Sequence, residues 1–151
     1  MIRHARISDA RAIHQLLLSY ANDGQLLGRS LSEIYEIIRD FYIYEEDGEV
    51  LGIGILEICW ENLAEVRSLA VASGQQGKGI GRKIVECCLE EARGLGIKRV
   101  FVLTYQPEFF KQLGFYDIEK SELPQKIWGA CLKCVKFPDC DELALAIDLH
   151  N

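Results

Sequence analysis

A glycine-rich loop is the segment of this chain whose residues are best suited to hold a ligand. Gln76-Gly77-Lys78-Gly79-Ile80-Gly81, the glycine loop, follows an apolar run at residues 66–71 and precedes a helix-like segment at residues 82–93. Glycines let a backbone turn sharply and approach a ligand without a clashing Cβ. The N–H groups of a helix N-terminus attract phosphate oxygens, and Arg82 and Lys83 add positive charge. The pattern predicts a pyrophosphate-binding loop; the alternative is a glycine-rich turn without a ligand.

Two well-known phosphate-binding patterns fit this loop less well. A P-loop requires Ser or Thr after its lysine, and Lys78 is followed by Gly79. A dinucleotide-binding fingerprint requires the spacing G-x-G-x-x-G, whereas the loop has Gly77-x-Gly79-x-Gly81. What the loop does match is [QR]-x-x-G-x-[GA].

The strand before the loop carries a charged pair. Because side chains alternate along a strand, Glu65, Arg67 and Leu69 are predicted to share one face. Charges on a central strand are costly to bury unless they line a site. The pair therefore indicates either a polar site or an ordinary structural ion pair.

Composition limits the classes of function. A chain of 151 residues with 49% hydrophobic content is predicted to form a single domain over residues 1–151. The net charge of −6 argues against a nucleic-acid partner, and no apolar run is long enough to span a membrane. The N-terminus shows no secretion signal, so we expect a cytoplasmic protein with reduced thiols.

Three late cysteines stand apart from the others. Cys131, Cys134 and Cys140 lie close together in a loop-like segment, whereas a structural zinc site usually has four protein ligands. His150 or Asp141 are the available fourth ligands, but nothing points to either. Loop packing is favoured over a metal site or a redox pair, so we expect no metal.

Apolar periodicity and turn signals give the order β-α-α-β-β-β-α-β-α-β-β. Ser30-Leu31-Ser32-Glu33 is a capping-box pattern at the start of the second helix, and Asp47-Gly48 predicts a hairpin. Ile80, Ile84, Val85, Cys88, Leu89 and Ala92 form one apolar face of the third helix.

Two motifs in order resemble the GCN5-related N-acetyltransferase (GNAT) family. The glycine loop resembles the acetyl-CoA loop of that family, and Phe109-Phe110-Lys111-Gln112-Leu113-Gly114-Phe115 resembles its late helix. The resemblance covers nearly the whole chain. It implies an α+β fold with a mixed, largely antiparallel sheet splayed between strands four and five, and helices on both faces. It implies acetyl-CoA as co-substrate, bound by Leu69, Ala70, Val71, Gln76, Gly77, Lys78, Gly79, Ile80, Gly81, Arg82 and Phe110.

Rarer features are similar to N-acetylglutamate synthases, enzymes of arginine biosynthesis. The segment Leu26-Leu27-Gly28-Arg29-Ser30 looks like one whose arginine holds the carboxylates of glutamate, and a guanidinium suits that task. Glu65 matches the general base, with Arg67 near the substrate. Lys126, after Leu123-Pro124, is a third candidate for carboxylate binding. The alternative for Arg29 is an ordinary surface arginine, and the alternative for Lys126 is a solvated lysine.

The resemblance implies direct attack of the α-amine of L-glutamate on acetyl-CoA. Glu65 would remove a proton, and a strand-four N–H near Leu69 would stabilise the oxyanion. Many relatives have a tyrosine as the general acid where this chain has Phe110, so Thr104 and Tyr105 are the hydroxyl groups available for that role.

Many synthases also carry a preceding arginine-sensing domain. Because this chain begins at its first strand, such regulation is not expected, whereas a homodimer is possible. Other hypotheses are an enzyme for another small amine or a protein N-terminus, and a non-catalytic acyl-CoA-binding module.

Overall fold

Seven strands and four α-helices make up the described part of the computed structural model, which is residues 1–22, 28–124 and 142–150. Short 3₁₀ turns lie at Ile7–Asp9, Ile38–Asp40 and Lys120–Glu122. The α-helices and strands are β1 (Ile2–His4), α1 (Ala10–Asn22), α2 (Leu31–Glu36), β2 (Phe41–Glu46), β3 (Glu49–Trp60), β4 (Leu63–Val71), α3 (Ile80–Gly94), β5 (Arg99–Thr104), α4 (Pro107–Gln112), β6 (Tyr116–Ile118) and β7 (Leu143–Asp148). The predicted order of elements is confirmed.

The strands form one sheet in the order β1-β2-β3-β4-β5-β7-β6. Every neighbouring pair is antiparallel except β4 and β5, which are parallel. These two strands pair only from Leu63 opposite Arg99 to Glu65 opposite Phe101. Beyond Glu65 they separate, so the predicted splay is confirmed and leaves an opening with one wall on β4 and the other on β5.

Helices cover both faces of the sheet, as predicted. On one face, α1 and α2 pack through Ile13, Leu17 and Ile34 against β2 and β3. On the other face, α3 packs through Ile84, Val85 and Cys88. We call these the α1 face and the α3 face.

Two glycines of β3 let α3 lie against the strand backbone. A Cβ at Gly52 would lie 2.5 Å from Ile80 Cγ2, and a Cβ at Gly54 would lie 2.7 Å from Ile84 Cγ2. Real side chains do not approach so closely, so a larger residue at either position would push the helix away from the sheet. Because α3 begins at Ile80, this contact also fixes the position of the glycine loop.

A β-bulge interrupts β4 at Ser68. Ile55 lies opposite Arg67 and Ile53 lies opposite Ala70, so Ser68 and Leu69 together face the single residue Gly54. Ser68 has a φ of 56°, in the left-handed region that non-glycine residues rarely adopt.

The bulge corrects one sequence-based prediction. Leu69 does not share a face with Glu65 and Arg67, because the extra residue reverses the alternation of side chains after Arg67. Leu69 packs on the α3 face, beside Gly54 and Ile84. Arg67 instead lies opposite Ile55, whose side chain is part of the α1-face core.

Candidate active site

The glycine loop forms a turn that leads directly into α3. Gly77 and Gly79 have φ angles of 81° and 83°, a left-handed conformation that favours glycine. Gly79 is the N-cap of α3, and no side chain caps this helix N-terminus. The first N–H groups of a 15-residue helix are therefore not satisfied by a cap and suit an anion.

Gln76 ties the glycine loop to the end of β4. Its Oε1 accepts a hydrogen bond from the N–H of Gly74 at 3.1 Å, and its Nε2 donates to the carbonyl of Val71 at 3.3 Å. Tyr20, from α1, holds the same residue: its hydroxyl donates to the Val71 carbonyl at 2.8 Å and accepts from the Val71 N–H at 3.1 Å. The loop is thus anchored at the edge of the opening between β4 and β5.

The basic residues at the glycine loop remain accessible. Arg82 forms a long ion pair with Glu86, at 3.6 Å, and its side chain is more than half exposed. Lys83 lies with its Nζ 5.5 Å from the centroid of the Tyr44 ring, and Lys78 Nζ donates to Gln75 Oε1 at 3.0 Å. Positive charge therefore surrounds the uncapped helix N-terminus.

A second group of residues meets on the α1 side of β4 and the neighbouring strand β3. We call Arg29, Glu57, Glu65, Arg67 and Ser68 the charged cluster. Its members come from the segment before α2, from β3 and from β4. The predicted residues Arg29, Glu65 and Arg67 are therefore brought together.

Arg29 is held by the bulge. Its Nε donates to Ser68 Oγ at 2.9 Å, and its Nη2 is buried with no hydrogen-bond partner within the described residues. Among the described residues, the acid nearest to that nitrogen is Glu57, whose Oε2 is 3.7 Å away. Ser30 fixes this segment through the predicted capping box, because its Oγ accepts from the Glu33 N–H at 3.1 Å. A buried, charged nitrogen without a hydrogen bond is suited to receive an anionic ligand.

Glu65 is a buried carboxyl group, with 9% of its side chain exposed. Burial raises the pKa of Glu65 to about 8, and the partly opposing effect of Arg67 does not cancel it. Glu57 and Glu142 raise this pKa further, whereas Arg29 lowers it. Such a group can take up a proton near neutral pH, which an ordinary glutamate cannot.

Arg67 lies between two acids. Its Nη1 donates to Glu57 Oε2 at 2.9 Å, whereas its Nε is 3.8 Å from Glu65 Oε1. Burial disfavours the charged guanidinium, but Glu65 and Glu57 outweigh it and raise the pKa of Arg67.

The predicted hydroxyl residues lie on the other wall of the opening. Thr104 is the last residue of β5 and is buried, and its Oγ1 accepts a hydrogen bond from the N–H of Gln106 at 2.8 Å. Tyr105 follows directly. Glu65 is paired with Phe101, three residues before Thr104, at the point where the two strands begin to separate.

The geometry combines a helix N-terminus suited to an anion, a buried carboxyl group of raised pKa, and a guanidinium that has no hydrogen bond at one nitrogen within the described residues. The acetyltransferase (GNAT) family model matches residues 11–117. The chain belongs to this family.

Relatives of known sequence and structure agree with this assignment. The chain is 43% identical to an uncharacterised N-acetyltransferase of Chlorobaculum tepidum, over 95% of this chain and 93% of the relative. It is 40% identical to an amino-acid acetyltransferase of Mycobacterium tuberculosis, over 85% of this chain and 75% of the relative. N-acetylglutamate synthase from Neisseria gonorrhoeae, complexed with coenzyme A and N-acetyl-glutamate, superposes with a TM-score of 0.91 at 29% identity. That match covers all of this chain and 35% of the synthase chain. The predicted fold and the predicted acyltransferase class are confirmed.

Three residues of this acetyltransferase's site were missed by sequence reasoning. Glu57 lies in a mostly apolar strand and matches no motif. A hairpin that turns at Glu61 and Asn62 places it opposite Glu65, and that register is the signal that could have identified it. No sequence pattern indicated Ser68, because a β-bulge has no signature in the sequence of one strand. Phe109 lies against the glycine loop: a Cβ at Gly81 would lie 3.2 Å from its ring.

Other predictions have different outcomes. Phe110, predicted to contact acetyl-CoA, is buried in the core between the rings of Phe109 and Phe115, and its contact with a ligand stays a prediction. Lys126 and the three late cysteines lie outside the described residues. Within those residues, no group of three or more His, Cys, Asp or Glu side chains is arranged to hold a metal ion. Among the described helices, none has the length and apolar character needed to cross a membrane.

Proposed function

We propose that this acetyltransferase transfers the acetyl group of acetyl-CoA to the α-amine of L-glutamate, a reaction of arginine biosynthesis. The observation that carries the proposal is the buried Nη2 of Arg29, which has no hydrogen bond within the described residues and belongs to the same cluster as the buried acid Glu65. A substrate carboxylate on Arg29 would bring its α-amine towards a base. The amino-acid acetyltransferase and N-acetylglutamate synthase among the relatives support this choice of acceptor.

Acetyl-CoA is the acetyl donor, and the glycine loop has the chemistry to hold its pyrophosphate. The helix N-terminus at Gly79 has no side-chain cap, and Lys78 and Arg82 supply positive charge. Gln76 fixes the loop to the end of β4. The thioester would then extend from the loop into the opening between β4 and β5, where Leu69, Ala70 and Val71 line one wall.

Glu65 would act as the general base. An α-amine is mostly protonated at neutral pH and must lose a proton before it attacks a thioester. Because the pKa of Glu65 is raised to about 8, its carboxylate has a proton affinity closer to that of an amine than an ordinary glutamate has. Transfer of the proton, directly or through one water, then costs less free energy than transfer to an ordinary glutamate.

Backbone and hydroxyl groups would complete the transfer. The bulge takes Ser68 and Leu69 out of one-to-one pairing with β3, and the N–H of Leu69 or a neighbour would stabilise the oxyanion. The C–S bond breaks and the CoA thiolate leaves; Thr104 or Tyr105 would donate a proton to it and regain one from solvent. A carboxylate on Arg29 and Arg67, with Lys126 as a further candidate, would orient the acceptor throughout.

The experiment is to measure CoA release from acetyl-CoA with each of the twenty amino acids and with spermidine, and then with Arg29→Ala. We expect activity with glutamate. Loss of a charge-assisted hydrogen bond of about 1.5–3 kcal/mol should raise the KM for glutamate by about ten- to a hundredfold and leave acetyl-CoA binding intact.

Arg39→Ala is the matched control, because this arginine is exposed in the 3₁₀ turn Ile38–Asp40 that follows α2. Activity with a different amine would contradict glutamate as the acceptor. Acetyl-CoA binding without activity on any amine would indicate a protein substrate or a binding module.

A further inference from the structure

Glu57 shares the guanidinium of Arg67 unequally with Glu65. The bond from Arg67 Nη1 to Glu57 Oε2 is a hydrogen bond of 2.9 Å, whereas Arg67 Nε and Glu65 Oε1 are 3.8 Å apart, beyond hydrogen-bonding distance. The strongest contact of Arg67 is therefore with an acid that the proposed mechanism does not use. Glu57 is opposite Glu65 across the β3–β4 pair, so both carboxylates can reach the same cation.

The contact that Arg67 makes affects Glu65, because a carboxylate in a close ion pair is a weaker base. A guanidinium bound closely to a carboxylate favours the charged form and lowers the pKa of the acid by about one to three units. A glutamate that forms a short, bidentate pair with arginine holds a proton poorly at neutral pH. The position of the Arg67 side chain therefore controls how readily Glu65 accepts a proton.

Glu57 is more exposed to solvent than Glu65, which makes its charged form the easier partner for Arg67. With 34% of its side chain exposed, Glu57 remains partly hydrated, whereas only 9% of the Glu65 side chain is exposed. The ionised form of Glu57 is thus the less costly partner for the cation. The same Oε2 also lies 3.7 Å from Arg29 Nη2, so Glu57 faces both guanidinium groups of the cluster.

We propose that Glu57 is a positioning residue for the base: it holds the Arg67 guanidinium out of hydrogen-bonding contact with Glu65, so that Glu65 can take the proton of the acceptor amine. The inference rests on the proposed role of Glu65. Among the described residues, the charged groups that act on Glu65 are Arg67 on β4, Glu57 on β3, Arg29 before α2 and Glu142 before β7. Of these, Glu57 is the acid that forms a hydrogen bond with Arg67.

The first test is an NMR titration of the Glu65 carboxyl carbon in the free protein, which requires no substrate. In Glu57→Gln, Arg67 loses its charged partner and should move onto Glu65, so we expect the titration midpoint to fall by about one to three pH units. Glu65→Gln identifies the resonance. Glu49→Gln, at the exposed start of the same strand, is the matched charge control and should leave the midpoint in place. An unchanged midpoint in Glu57→Gln would overturn the proposal.

A double variant separates the role of Arg67 from the loss of one negative charge. In Glu57→Gln with Arg67→Gln no guanidinium is left on β4, so the midpoint should return to the value of the unmodified protein or above it. A midpoint that stays as low as in Glu57→Gln alone would overturn the positioning role.

The pH profile of kcat/KM for glutamate distinguishes this proposal from the proposed function. We expect its acidic limb to follow the NMR midpoint in each variant. If the NMR midpoint shifts but the acidic limb of the kcat/KM profile does not, Glu65 is not the base. The effect of Glu57 on the pKa of Glu65 would still stand.

Discussion

The glycine loop follows the C-terminal end of β4, the charged cluster lies along the middle of that strand, and the two are suited to bind ligands by different means. The loop is a continuous stretch of six residues whose main contribution is backbone N–H groups. The cluster is made of side chains from three separate segments and contains two acids and two arginines that are partly or fully buried. Backbone recognition needs only a local conformation, whereas a cluster of buried charges depends on the register of strands and on each partner's presence.

Replacement of the base should have the largest effect and should act on one region only. In Glu65→Gln, the carboxamide keeps the shape but cannot accept a proton, so we expect kcat to fall by about 10²- to 10⁴-fold. Steady-state kinetics with glutamate measures the loss, and calorimetry should give an unchanged Kd for acetyl-CoA. An equal weakening of acetyl-CoA binding would show that the two regions are not separable.

A substitution in the glycine loop should instead weaken acetyl-CoA binding and leave the proton transfer unchanged. Gly79→Ala forces a side chain into the left-handed region, at φ 83°, at a cost of about 1–2 kcal/mol. The Kd for acetyl-CoA should rise about tenfold, while the pH dependence of kcat should stay the same. Gly94→Ala is the control, because this glycine has no positive φ and has open space around it. Tighter or equal binding by Gly79→Ala would contradict the role of the loop.

Ser68 tests the connection between the two regions. Ser68→Ala removes the acceptor of the Arg29 Nε hydrogen bond, whose loss of about 1 kcal/mol should raise the KM for glutamate about three- to tenfold. Ser68→Gly removes the same hydroxyl but relieves the φ of 56°. Similar KM values for both variants would assign the effect to the hydrogen bond. Recovery in Ser68→Gly would assign it to backbone strain instead.

Much of the fold was predictable from the sequence because its signals are local. The capping box at Ser30, the Asp47-Gly48 turn and the apolar face of α3 each depend on residues a few positions apart. Asp47 and Gly48 both have positive φ, as a type I′ turn requires. The same holds for the glycine loop, whose conformation follows from its glycines.

The charged cluster was predictable only in part, for physical reasons. Arg29, Glu65 and Arg67 could be named, but Glu57 becomes visible only when the register of the β3–β4 hairpin is known. The prediction for Leu69 was wrong because strict alternation assumes a regular strand, and the bulge at Ser68 breaks it. A bulge depends on how two strands pair and is not encoded in the periodicity of one strand.

The extra residue at Ser68 also divides β4 into two parts that can change independently. Glu65 and Arg67, before it, belong to the charged cluster where the acceptor is proposed to bind, and residues after it contribute to the wall along which acetyl-CoA is proposed to lie. Substitutions at position 67 are therefore expected to alter which amine is used while the donor side keeps its shape. Deletion of Ser68 would restore one-to-one pairing with β3 and would remove the hydroxyl group that holds Arg29.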